Sequence, residues 1–254
     1  MEKSLMGKGE IRGEAERFAR QLADIYGDSL VSVLLYGSAA RGDYRPGLSD
    51  LNILVILRSL DLGALRRANR LVAEWGARGN PPPLMLTKDE WLGSADVFPI
   101  EYSDIRDGYV LLVGADPVKG MCIRRDDLRF RLEYELRSKK IQLREGFLAA
   151  GDSAEQVGVL LLSSLPTFLT LFRAILRLAG IGVPTEPAEL VRTAAGLVGF
   201  SADPVLEVLR RRDDPAAFAP DPDGPVPAGY LAAVERTAAW LDRFAPEPDP
   251  EAEV

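Results

Sequence analysis

The hydrophobic period of the chain changes near residue 120, and that change restricts the fold more than any other feature of the sequence. Before it, short apolar runs are broken by turn residues: Leu30 to Tyr36, Leu51 to Leu57, Pro83 to Leu86, Val97 to Tyr102 and Tyr109 to Val113. Runs of that length and spacing predict the strands of one sheet. Helical stripes lie among them. Ile11, Ala15, Phe18, Leu22 and Tyr26 recur at three- and four-residue steps, as do Leu65, Ala68, Leu71, Val72 and Trp75, and Lys88 to Ala95 is long enough for a short helix. After about Arg124 only the helical period remains. The expectation is an α/β domain with a mixed sheet over residues 1–120, an all-α helical bundle over 121–245, and a disordered acidic tail over 246–254.

Within the bundle, Leu128, Leu132, Leu136, Leu143 and Phe147 mark a helix to about Ala149. Asp152, with Glu155 three residues on, predicts the start of a second helix reaching Gly180, kinked near Pro166. Thr185 would cap a third over 186–197. Asp203, followed by Pro204, would cap a fourth ending near Arg212. The Pro- and Asp-rich 213–227 reads as a loop, and 228–244 as a last amphipathic helix.

Composition removes several chemistries. Histidine is absent from all 254 residues, which excludes imidazole-ligated zinc, His-ligated haem and Ser-His or Cys-His catalysis. Acid-base work then falls to carboxylates. Cys122 stands alone, so no intrachain disulfide or thiolate cluster forms, and a reducing cytoplasm suits the chain. Met1 to Glu16 lacks the apolar core of a signal peptide. Val157 to Ala179 is apolar but carries Arg173, Arg177 and Pro166, which fits a central bundle helix better than a membrane span. The net charge is −7, and eight negative charges lie in the 213–223 segment and the tail. The remaining body is near neutral, which argues against a membrane surface or an extended nucleic acid as partner.

The stretch that carries chemistry is Leu35-Tyr36-Gly37-Ser38-Ala39-Ala40-Arg41, followed twelve positions beyond Ser38 by Asp50-Leu51-Asn52. A strand ends at Gly37, where a missing side chain lets the backbone approach a ligand. Ser38 offers a hydroxyl and an N–H at a helix start, a place that suits phosphate. Arg41 adds a fork of donors, either to phosphate or to a surface pair with Asp43. Asp50 and Asn52, two apart at the opening of a strand, project from the same face.

A Gly-Ser turn after a strand, then a spaced pair of polar strand residues led by an acid, resembles the nucleotidyltransferase superfamily. That superfamily has a polymerase-β-like fold and includes the kanamycin and streptomycin nucleotidyltransferases. The resemblance implies that Gly37 and Ser38 hold the triphosphate of an NTP and that Asp50 and the residue at 52 bind Mg²⁺, or Mn²⁺ in its place. It also implies a third carboxylate on a later strand. Here the second acid is replaced by Asn52, which ligates through a neutral oxygen and weakens a two-metal arrangement. For the third carboxylate, strand parity in Phe98 to Asp104 places Glu101 opposite the apolar face and Asp104 out of phase, so Glu101 is assigned as general base or further ligand.

Arg137, Lys140 and Arg144 share one face of the first bundle helix with Arg129 and Glu133. That face either supplies a cation to the triphosphate, Lys140 being the candidate, or is a solvated face in which Glu133 pairs with Arg137. Trp75, Trp91 and Trp240 read as core or interface residues, and Cys122 as a small packed residue. Two functions follow: transfer of a nucleoside monophosphate from an NTP to a hydroxyl of a small-molecule acceptor, or a nucleotide-binding regulatory protein of the same fold with weakened or lost catalysis.

Overall fold

The computed structural model describes residues 8–42, 44, 49–212 and 218–245. They fall into two compact units divided between Ile123 and Arg124. The expected tail at 246–254 and part of the expected 213–227 loop lie outside the described residues.

The first unit begins with α1 (Lys8–Tyr26), followed through a 3-10 turn by β1 (Leu30–Tyr36), then α2 (Ser38–Arg41) and β2 (Asn52–Leu57). Next come α3 (Leu62–Arg67), α4 (Asn69–Ala77), β3 (Leu84–Thr87), α5 (Lys88–Gly93), α6 (Pro99–Asp107) and β4 (Tyr109–Gly114). The strand order is β3-β2-β1-β4; β1 runs antiparallel to β2 and β4, and β2 parallel to β3, so the sheet is mixed.

Alternation along the strands sends side chains to two cores. Val33, Leu35, Leu51, Ile53, Val55 and Leu57 face α1, α3 and α4, where Phe18, Leu22 and Trp75 pack against them. Leu34, Leu54 and Ile56 face the opposite layer, made of Trp91 on α5 and Tyr102 and Ile105 on α6. Trp75 and Trp91 are each fixed by a stack and a hydrogen bond. Trp75 stacks on Phe18 at 4.2 Å and donates to the Pro81 carbonyl at 3.0 Å. Trp91 stacks on Tyr102 at 4.2 Å and donates to the Pro117 carbonyl at 2.8 Å.

Three expectations are corrected here. The run from Val97 to Tyr102 is no strand: α6 occupies it, started by Pro99 with Glu101 in its first turn. Pro at the first helical position and an acid in the first turn both favour a helix, and burial of Pro99, Ile100, Tyr102, Ser103 and Ile105 follows three- and four-residue steps. The stripe from Leu65 to Trp75 is two helices, α3 being capped by Asp61, whose carboxylate accepts from the Ala64 N–H at 2.6 Å. Cys122 is exposed rather than packed.

The second unit is helical: α7 (Arg125–Ala150), α8 (Ala154–Leu178), α9 (Pro187–Val198), α10 (Asp203–Arg211) and α11 (Pro225–Arg243). Its axis is α8, which continues through Pro166 and buries Leu161, Leu165, Phe168, Phe172 and Ile175. By length and hydropathy α8 would pass for a membrane span, yet 56% of its most apolar window is buried within the fold, and so is Arg173. Phe168 meets Tyr230 of α11 edge to face, and the Tyr230 hydroxyl shares a 3.0 Å hydrogen bond with Ser164. The caps are Ser153, Glu186 and Ala202, each one residue from the cap expected from sequence, with Asp203 inside α10.

Leu54 has no solvent exposure and stands in the middle of β2. Leu54→Ala is expected to cost about 2–5 kcal/mol. Urea denaturation should show this as a lower midpoint with an unchanged slope.

Candidate functional site

The site is assembled where β1 ends and β2 begins. Tyr36, the last residue of β1, pairs with Asn52 on one side and Tyr109 on the other. Gly37 then turns the chain with φ +78° and ψ −152°, a conformation that L side chains rarely adopt. A methyl group placed on Gly37 would also lie 3.1 Å from the Asn52 side-chain nitrogen. Glycine is therefore required twice, by backbone and by neighbour. The Gly37 carbonyl accepts from the N–H groups of Ala40 at 3.1 Å and Arg41 at 3.0 Å, closing the single turn of α2. The N–H groups of Ser38 and Ala39, as first-turn donors, have no acceptor within the helix.

Across from this turn, Leu51 is a buried anchor in the α1-side core, and strand parity puts Asn52 on the opposite face, with Leu54 and Ile56. Asp50 is exposed just ahead of the strand. Its charge reaches Tyr44, whose phenol is pushed up first by burial and then by the negative charges of Glu14 and Asp50. Two nearby residues were not singled out from sequence. Glu14, buried on α1, pairs with Arg78 at 3.6 Å. Asn80, also buried, accepts a hydrogen bond from the Leu51 N–H at 3.3 Å. A signal for Glu14 was present: it sits three residues after Ile11 and four before Phe18, an acid on the buried stripe of its helix.

Arg41 does not extend into solvent. Its guanidinium lies 3.9 Å from the Asp104 carboxylate of α6, and both side chains are largely covered. The Arg41 stem passes over Gly108, where a Cβ would collide with its Cγ. Asp43, the alternative partner considered from sequence, lies outside the described residues. Glu101 is exposed in the first turn of α6, so the strand parity that favoured it over Asp104 does not apply. Asp104, out of phase as a strand residue, is the α6 acid that meets Arg41, and Glu101 lies one helical turn before it.

The cations expected on the first bundle helix serve the second unit's own packing. Arg137 bonds Glu133 at 3.0 Å and Asp242 at 2.7 Å, Arg144 bonds Glu235, and Arg129 donates to the Phe244 carbonyl at 3.1 Å, so α7 is tied to α11. Lys140, half-buried on α7, has no ion pair among the described residues.

Among the described residues, no strand of the sheet carries a carboxylate. Among the described residues there is also no group of three or more acidic, His or Cys side chains placed to hold a metal ion. The donors present, the Asp50 carboxylate and the Asn52 amide oxygen, suit one hard cation that takes its remaining ligands from phosphate and water.

Residues 15–75, which span β1, the Gly37 turn and β2, match the family described as the nucleotidyltransferase domain. Among solved structures, the fold is similar to that of a spectinomycin adenyltransferase from Enterococcus faecialis, determined with ATP and spectinomycin. The TM-score is 0.52 at 12% identity, covering 91% of this chain and 99% of the other. No curated protein matches the chain. The fold is that of the nucleotidyltransferase superfamily, with a polymerase-β-like α/β unit and a helical unit after it.

Gly37 and Gly42 both have positive φ, but a Cβ on Gly42 meets open space. Gly42→Ala is expected to cost about 1 kcal/mol of backbone strain, and Gly37→Ala more, about 2–3 kcal/mol, because Asn52 must also move. Chemical denaturation of the two variants measures the difference, and a shifted Asn52 side-chain amide resonance should appear only in Gly37→Ala.

Proposed function

We propose that this protein takes a nucleoside triphosphate at the Gly37–Ser38 turn and transfers its nucleoside monophosphate to a hydroxyl of a small-molecule acceptor, releasing pyrophosphate. The observation that carries the reading is the Tyr36–Asn52 pairing, which sets a turn of free N–H donors beside the start of the strand led by Asp50. The nucleotidyltransferase-domain match over the same segment supports it. So does the structural neighbour, which was solved with a nucleotide and a small-molecule acceptor together. The near-neutral body favours such an acceptor over a long nucleic acid, and the cytoplasm, where NTPs are abundant, is the compartment proposed.

In this reading the Ser38 and Ala39 N–H groups and the Ser38 hydroxyl hold the β- and γ-phosphates, with charge-assisted hydrogen bonds from a rigid turn. Asp50 and Asn52 would hold Mg²⁺ or Mn²⁺, which supplies charge neutralisation and polarisation of the phosphoryl group when bound. The acceptor oxygen bonds to the α-phosphorus, and the bond from that phosphorus to the bridging oxygen breaks. The hydroxyl proton passes to a carboxylate, for which Glu101 is proposed because it is exposed and one helical turn from the Asp104–Arg41 contact. Arg41, held by Asp104, is the cation proposed to face the departing pyrophosphate.

One observation favours a second reading. With Asn52 in the second position and no carboxylate on any described strand, the site has the donors to bind a nucleotide and few of those that drive transfer, as a nucleotide-binding regulatory protein would.

Calorimetric titration of ATP, GTP, CTP and UTP with Mg²⁺, with Mn²⁺ and with EDTA tests both. One NTP is expected to bind in a metal-dependent way, with affinity falling about tenfold or more in Asp50→Ala. Pyrophosphate release with hydroxyl acceptors, spectinomycin among them, separates the readings. Asn52→Asp should strengthen metal-dependent binding in either case, and should raise turnover only in a site that transfers. Absence of NTP binding under every metal condition would overturn both.

A further inference from the structure

At the start of β2 the sheet runs out on both sides. On the β1 side Tyr36–Asn52 is the last pair before Gly37 turns away. On the other side β3 begins only at Leu84, opposite Leu54, so the parallel register places Pro81, Pro82 and Pro83 alongside residues 51–53. A proline carries no N–H and cannot donate to a ladder. The backbone of Asp50 and Leu51 thus leaves the sheet at the point where the proposed site needs it fixed. Leu51 is 1% exposed, and a buried N–H without an acceptor is costly.

The side chain of Asn80 replaces the missing ladder. It is 5% exposed, and its oxygen accepts from the Leu51 N–H at 3.3 Å. The loop that carries it is pinned from two directions. Trp75, stacked on Phe18, donates to the carbonyl of Pro81, and Arg78 pairs with the buried Glu14. We propose that Asn80 is a positioning residue: by holding the peptide between Asp50 and Leu51 it sets the direction of the Asp50 carboxylate and, through Leu51, of the Asn52 amide. Its functional consequence rests on the nucleotide-binding reading above, while the backbone consequence stands apart from it.

The test uses the full chain with Asn80→Ala, which removes the acceptor, and Asn80→Asp, which keeps an oxygen in the same place. Asn80→Ser, too short to reach Leu51, takes the place of Asn80→Ala if that variant does not fold. Amide exchange by NMR should show Leu51 exchanging about tenfold faster or more in Asn80→Ala and regaining protection in Asn80→Asp. Affinity for Mn²⁺–ATP, or the NTP that wild type prefers, should fall about tenfold in Asn80→Ala, the size found when outer partners of metal ligands are removed, with binding in EDTA unchanged. A purely structural role would lower the melting temperature and weaken binding in Mn²⁺ and in EDTA alike, which overturns the proposal. Unchanged Leu51 protection in Asn80→Ala also overturns it. If wild type binds no NTP, the functional reading fails by itself, and backbone shifts at residues 50–52 decide Asn80: changes confined there support the positioning role, and their absence removes it.

Discussion

The antiparallel pairing of β1 with β2 is the constraint on which the rest of the first unit depends. Because Tyr36 is registered with Asn52, the end of one strand and the beginning of the next coincide, and the chain between them must leave and return at the same place. Gly37 makes the departure possible. Its positive φ lets β1 stop abruptly, and its missing side chain leaves room for the Asn52 amide. Both cores depend on the same register, since a slip of one residue would turn Leu51, Ile53 and Val55 to the α6 side and Leu54 and Ile56 to the α1 side. Packing of two hydrophobic layers therefore also fixes the placement of one polar site.

The electrostatics around that register are sparse. Arg41 is matched by Asp104 and Arg78 by Glu14, and Asp50 is an exposed charge beside the turn. Gly108 allows the first of these pairs, because any larger residue there would displace the Arg41 stem. The second unit uses its arginines in a similar way. Arg129, Arg137 and Arg144 bind α11 to α7, and of the two readings the sequence leaves open for this face, the Glu133–Arg137 pair is present, joined by interhelical ties.

Much of the fold was legible in the sequence because its signals are local. Strands β1, β2, β3 and β4 and the long helices of the second unit follow from hydrophobic period and turn residues. The failure at Val97–Tyr102 has a physical cause: Phe98, Ile100 and Tyr102 alternate like a strand, while the buried set of Pro99, Ile100, Tyr102, Ser103 and Ile105 follows the three- and four-residue steps of a helix, and the start signals at Pro99 and Glu101 decide for the helix. That difference removes the parity argument for Glu101 over Asp104, because strand alternation has no force on α6. The Gly37 turn and the Asp50–Asn52 pair were readable from their spacing. Asn80 was not, since its role comes from a register that places three prolines beside β2, and neither register nor a side-chain bond across 29 positions is visible in a local pattern.

The donor set also determines what a triphosphate would meet. A bound NTP brings several negative charges to a turn whose fixed partners are N–H groups, a hydroxyl and an arginine already shared with a carboxylate. The helix behind the turn is a single turn long, so its dipole adds little. Asp50 contributes further negative charge, which is unfavourable to phosphate unless a cation stands between them. A neutral Asn52 lowers that repulsion while keeping an oxygen ligand. In the proposed function, the replacement of an acid by an amide therefore trades affinity for a free cation against easier approach of the nucleotide. The cation is then best taken up together with the triphosphate, whose oxygens complete a ligand set that Asp50 and Asn52 only begin.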